Sequence, residues 1–463
     1  MRVPASRICC SGCGYQAADG DPYPFRCPHA GADDIDHVLT RVLAPGAVFP
    51  SGTEANPFVR YRTLMHSFHV ARSEQISDGE YCRLVERLDA SVAGVAGCGF
   101  IATPFFRSAE LSAALGFAPG GGVWVKDETG NVSGSHKARH LMGVLLYLAV
   151  MESCGTLDRR NRRGLAIASC GNAALAAAVL ARAGGWPLIA FVPPDADEGV
   201  VRRLRELGAT VQVCRREPGV AGDPAYLRLR QELACGAVPF TIQGNENGLT
   251  IEGGQTLGYE LVTDLAKVQG RLDHVIVQVG GGALASSCIQ ALREAADLGA
   301  LAGLPHVHTV QTLGAHPLER AYRRVRAMLP DEPSADEVRR AMAQAASRRS
   351  AFMQPWEEEP KSMATGILDD ETYDWRAVVE GMLLTGGQPL VVAEDSLIEA
   401  SRLAVSATGI SVDATGAAGL AGLLEMRRSG AIGEGHRVAV LFTGIRREIE
   451  RQMPKNALAC CQE

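Results

Sequence analysis

Val132-Ser133-Gly134-Ser135-His136-Lys137-Ala138-Arg139 is the stretch on which the reading of this chain turns. Behind its lysine, Leu141, Val144, Leu145 and Leu148 recur at i, i+3, i+4 and i+7, the period of a helix with one apolar face. Lys137 is therefore expected near the N-terminus of a buried helix, facing a cleft. A surface lysine at a helix start is the plain alternative, but the helix dipole disfavours a cation there. Gly134 and Ser135 suit a tight turn just before it.

From residue 164 onward, short apolar runs alternate with helical stretches. Strands are expected at 165–168, 188–192 and 210–213, with helices at 173–183 and 200–207 closed by Gly184-Gly185 and Gly208. The pattern resumes with helix 254–267, strand 274–279, helix 283–298 and strand 307–311. It ends with strand 390–393, helices 396–407 and 416–428, and strand 437–442. This βαβ punctuation implies an α/β protein with parallel sheet. Residues 330–336 read as an interior loop or insertion.

Two further segments complete the constellation. Gly280-Gly281-Gly282-Ala283 follows an apolar strand and opens a helix, so its backbone N–H groups suit a phosphate. A plain strand-to-helix turn is the alternative. A dinucleotide fingerprint fits less well, because its third glycine would fall at Ser286. Ser169-Cys170-Gly171-Asn172-Ala173 is another strand-to-helix turn, with amides suited to a substrate carboxylate; alone it reads as an ordinary helix cap. One lysine followed by two such cradles is what a lysine-bound pyridoxal phosphate needs. Lys137 would form the Schiff base and shuttle the α-proton, and Asn172 would hydrogen-bond the phenolic oxygen beside the imine. Thr443 would face the pyridine nitrogen without protonating it, which suits elimination and replacement better than transamination.

At these residues the chain resembles the tryptophan synthase β-like, fold-type II family of pyridoxal phosphate enzymes, which includes threonine synthases, serine/threonine dehydratases and cysteine synthases. Ser135-His136-Lys137-Ala138-Arg139 is similar to the family's S-x-K-x-R motif, Ser169–Asn172 to its S-x-G-N loop, and Val279–Leu284 to its phosphate loop. Ile251-Glu252-Gly253-Gly254-Gln255-Thr256-Leu257-Gly258-Tyr259-Glu260-Leu261 resembles its E-G-x-x-T-x-x-x-E segment, and the likeness runs from about Pro104 to Gly444. Ala283 stands where many relatives carry a fourth glycine, and Ala138 where threonine synthases often carry Asp. The resemblance implies a two-lobed fold of type II acting on an α-amino acid by β- or γ-elimination or replacement, in the manner of a threonine synthase or an ammonia-lyase. It also implies a homodimer. The alternative is a non-catalytic small-molecule-binding protein on the same fold. The lobes are expected as 37–130 with 246–463, carrying the cofactor, and 131–245, carrying the lysine and asparagine loop.

Over 463 residues, the hydrophobic content of 46% and charged content of 21% are those of an ordinary globular protein. A net charge of −6 argues against a broad nucleic-acid surface. The apolar run 141–151 is too short for a membrane span, which takes about 20 residues. The start lacks a secretory core, so a cytoplasmic location is expected. Thirteen cysteines lie mostly singly in apolar segments. Within residues 1–36, Cys10, Cys13, Cys27 and His29 have the ligand types of a small zinc ribbon, with Cys9 a competing ligand. A cysteine-containing arm without metal is the alternative. His136, Arg139 and His140 are expected to be structural, and segment 362–371 either lines the substrate mouth or is a surface loop.

Overall fold

The computed structural model describes residues 5–447, apart from 217–219, 221, 268 and 269. Two parallel sheets carry the architecture. The larger runs Pro389–Val392, His306–Thr312, His274–Gln278, Arg437–Phe442, Gly122–Asp127 and Phe105–Ser108, parallel except for the last strand, which pairs antiparallel with its neighbour. The smaller runs Thr210–Val213, Leu188–Val192, Leu165–Ala168 and Val238–Pro239, all parallel. Central strands such as His274–Gln278 are buried at every position, as helices on both faces require. The expected strands are present to within two residues at their ends. Of the loop expected at 330–336, Ala335 and Asp336 instead open helix Ala335–Ala346, capped by the Ser334 hydroxyl on the Glu337 N–H.

The lysine helix, Lys137–Ser153, departs from the one-sided pattern read from its leucines. Every residue from Ala138 to Leu148 is buried. It lies between helices Asn172–Gly184 and Leu249–Lys267. Close approach to the second is made by paired glycines: a Cβ on Gly143 would sit 2.8 Å from the Gly253 Cα. Helix Asp78–Ala96 also shares the lysine helix's hydrophobic core, through Tyr81, Val85 and Val92. Helix Asp78–Ala96 thus packs on the helices beside the smaller sheet, whereas Tyr61 and Leu64 pack against Tyr259 and Ala291. The N-terminal unit continues past residue 36: strand Ser6–Cys10 pairs antiparallel with Leu39–Leu43.

Across the base of the lysine helix runs a fully buried ionic network. Arg139 donates from Nε and Nη2 to both Glu128 oxygens (2.8 and 3.0 Å) and from Nη1 and Nη2 to both Glu260 oxygens (2.6 and 3.0 Å). Lys126 Nζ adds 2.6 Å to Glu260, and the Thr103 hydroxyl donates to Glu128. Two cations thus face two anions. Burial alone would push Glu128 up, yet Arg139 and Lys126 together bring it down to about 2. Glu260 is depressed for the same reasons.

Removing one partner strands a buried charge, so Glu260→Ala is expected to cost about 3–5 kcal/mol in urea denaturation. A carboxylate depressed on folding stabilises above its unfolded pKa. Wild-type stability from Glu128 should therefore be intact above about pH 4.3 and drain away as pH falls towards 2, a loss that Glu128→Gln should not show.

Candidate active site

Strand ends bring the sequence-distant motifs together. Gln278 closes one central strand and Thr443 follows its neighbour, so both stand at the carboxyl edge of the large sheet. Ser135 forms an antiparallel bridge with Gly444, and the His136 N–H donates to the Thr443 carbonyl at 3.1 Å. The turn before the lysine is tight: Ser133 and Gly134 both take positive φ, 56° and 70°. A Cβ on Gly134 would meet Ile445 at 2.5 Å, which only glycine avoids. This pins the first turn of the lysine helix against the end of the last strand.

Lys137, Ser169, Ala173, Gly280, Gly281, Gly282, Ala283 and Thr443 line one pocket of about 100 Å³. Thr241, Gln243, Gln278 and Thr415 join them, none of them expected there from the sequence, together with Ile367 and Asp369 of segment 362–371. Cys170, Gly171 and Asn172 fall outside this lining. Asn172 is held from two sides instead: its Oδ1 accepts from Arg447 Nη2 at 2.8 Å, and its amide reaches Asp413. Segment 367–374 lies directly on the glycine loop. A Cβ on Gly280, Gly281 or Gly282 would come within 2.2, 2.9 and 2.8 Å of Asp369, Tyr373 and Thr372 respectively. The glycines are thus required by packing as well as by any anion.

Polar geometry in the pocket is directional. Gln278 Nε2 donates to Thr443 Oγ1 at 2.7 Å and to the Gly416 carbonyl at 3.0 Å. With its oxygen accepting from Gln278, the Thr443 hydroxyl has its own proton left to donate into the pocket. Burial lowers the Lys137 pKa, an effect that Asp369, Asp413 and Cys170 partly oppose. Burial raises Asp369 to about 6 against the pull of Lys137. His136 is held well below its ordinary value by burial and by neighbouring His140 and Lys137, and burial brings His140 to about 4, so both rings are neutral at pH 7. A buried amine that sheds its proton readily, beside helix N–H groups and a hydroxyl donor, fits a phosphorylated aldehyde with a basic ring nitrogen. A larger cavity, of about 620 Å³, lies between strand Leu39–Leu43 and helix Ala283–Asp297, but no lysine lines it.

The sequence profile of the family described as pyridoxal-phosphate dependent enzyme matches residues 99–444. This chain belongs to that family. Serine dehydratase-like protein of Rattus norvegicus is 33% identical over 224 residues, 48% of this chain and 61% of the relative. The chain thus spans less than two thirds of that relative's length. Threonine synthase of Methanocaldococcus jannaschii is 24% identical over 347 residues, 74% of each chain. The structure of maize serine racemase superposes with a TM-score of 0.56 at 19% identity, covering 79% of this chain and 93% of that one. That likeness shows the shared fold, type II.

The N-terminal cysteines of this pyridoxal-phosphate dependent enzyme converge, with one correction. Cys10, Cys13, Cys27 and His37 place their ligand atoms within 4.8 Å of one another. His37 Nδ1 lies 3.5 Å from Cys10 Sγ and 3.4 Å from Cys27 Sγ, and Cys13 Sγ lies 3.7 Å from Cys27 Sγ. Four sulfur or nitrogen donors around one zinc ion stand about 3.8 Å apart, so the spacing fits. His29, expected as the fourth ligand, is exposed and reaches only Cys13, at 3.4 Å. His37 instead completes the group of converging donors, with its Nε2 held by Asp33 Oδ1 at 2.9 Å. Cys9 stands outside the quartet.

Because burial favours the neutral amine, Lys137 should titrate below the ordinary lysine value of about 10.4. Competitive acylation of the cofactor-stripped protein across a pH series, read by peptide mass spectrometry, should give Lys137 a midpoint below that value.

Proposed function

We propose that the chain catalyses β- or γ-elimination or replacement on an α-amino acid, with pyridoxal phosphate held by Lys137. The observation that carries the reading is the meeting of Lys137, the Gly280–Gly282 loop and the Thr443 hydroxyl in one pocket. Gly280, Gly282 and Ala283 would take the phosphate with their backbone N–H groups and the positive end of helix Ala283–Asp297, and the Gly281 N–H would join them on leaving Asp369. The turn at Ser169, Cys170, Gly171, Asn172 and Ala173 binds the substrate carboxylate, with Asn172 fixed by Asp413 and Arg447. When bound, pyridoxal phosphate withdraws electrons from the substrate Cα and acidifies its C–H bond. Lys137 takes that proton, for which its lowered pKa suits it. Thr443 would offer the ring nitrogen a hydrogen bond without protonating it, leaving the ring less electron-withdrawing than a carboxylate partner would. The curated relatives named serine dehydratase-like and threonine synthase support the same class of chemistry.

Borohydride reduction followed by peptide mapping should leave the cofactor on Lys137. Lys137→Ala should lose the visible absorbance and on the order of 10²–10⁴-fold in turnover. A colourless wild-type protein would favour the small-molecule-binding alternative instead.

We further propose that Cys10, Cys13, Cys27 and His37 hold a structural zinc ion, and that the enzyme is a cytoplasmic homodimer whose lobes divide near residues 130 and 245. The resemblance supports the dimer, and the two separate sheets support the division. Among the described residues no helix is long and apolar enough to cross a membrane. Elemental analysis should find one zinc per chain, lost in His37→Ala and retained in His29→Ala.

A further inference from the structure

Segment 362–371 delivers Asp369 into the lysine pocket, and its charge is not used by the chemistry above. One of its oxygens lies 2.2 Å from where a Gly280 Cβ would stand, and the carboxylate accepts from the Gly281 N–H. Among the residues lining the pocket, Lys137 is the cation that Asp369 faces, and no arginine is present. Asp223 and Asp370 add negative charge around it, with Arg216 beside Asp370 as the counterweight.

This arrangement has a consequence for the substrate. The reading above commits the Lys137 amine to the cofactor and brings a phosphate to the neighbouring glycine loop. Asp369 then loses its cation and gains an anion nearby, and an unpaired carboxylate in such surroundings is costly. A cation arriving with the ligand would relieve that cost and keep the carboxylate ionised. Among the residues lining the pocket a phosphorylated side chain would meet the Asp369 carboxylate and no guanidinium, whereas a side-chain ammonium would meet a ready acceptor.

Resting on that reading, we infer that Asp369 receives a protonated amine on the substrate side chain, so that the preferred substrates are α-amino acids with a second amino group at Cβ. The reaction balances without an oxidant. The Cα proton passes to Lys137, the Cβ–N bond breaks with its electron pair going to nitrogen, and ammonia departs. One water then converts the remaining enamine to a 2-oxo acid and a second ammonia.

The test uses the holoenzyme with L-2,3-diaminopropionate, L-serine and O-phospho-L-serine, measuring 2-oxo acid, ammonia and phosphate. A charge-assisted hydrogen bond predicts kcat/KM for the diamino acid roughly 10- to 100-fold above that for serine, with the phosphoester poorest. Asp369→Asn and Asp369→Ser, each checked for cofactor absorbance, should reduce the diamino-to-serine ratio by a similar factor. Preference for serine or the phosphoester, or an equal fall on all substrates in both variants, overturns the inference. Borohydride mapping of the same sample separates the two levels. With Lys137 labelled, a negative result removes the substrate assignment alone; with Lys137 unlabelled, the proposed function itself falls and the assignment with it.

Discussion

The Arg139 guanidinium, gripped on two edges by Glu128 and Glu260, is the constraint on which the site depends. It joins the strand-end segment after Gly122–Asp127, the first turn of the lysine helix and the middle of helix Leu249–Lys267. Two residues upstream, Lys137 inherits its position from that grip. Charged groups this deeply buried are tolerated only when nearly every donor and acceptor is matched, so the network permits little alternative packing. The Gly143–Gly253 approach adds a steric condition on the same pair of helices.

The pocket follows from topology. In an open parallel sheet the carboxyl ends of the strands leave a crevice, and ligands settle where neighbouring connections diverge. Here Gln278 and Thr443 come from adjacent strands, and their hydrogen bond orients a hydroxyl into that crevice. The bridge between Ser135 and Gly444 then brings the lysine segment to the same edge. This backbone pairing holds the lysine segment to the sheet end from one side, as the Arg139 side-chain network holds the first helical turn from the other.

The N-terminal hairpin shows how a small unit is closed with little core of its own. Its buried Ile8 and Phe25 pack into the hydrophobic cluster of the lysine helix. Tyr147 of that helix donates to the Asp21 carbonyl, so the cysteine quartet sits on a platform tied directly to the lysine helix.

Local chemistry was legible in the chain as written. Apolar runs of strand length, glycines at helix ends and the spacing behind Lys137 specify elements through short-range sterics and periodicity; the strands emerge within a residue or two of expectation, while helix Leu249–Lys267 begins five residues before the expected 254. Lys137, Thr443 and the glycine loop could be picked out because their residue types announce their chemistry. What tertiary structure alone decided were the pairings between distant charges and donors: Arg139 with Glu260, Gln278 with Thr443, Asp369 with Lys137, and His37 rather than His29 among the cysteines. Such partners are selected by burial, which strips away water and leaves each polar group to find a match. No local spacing encodes which remote segment will supply it.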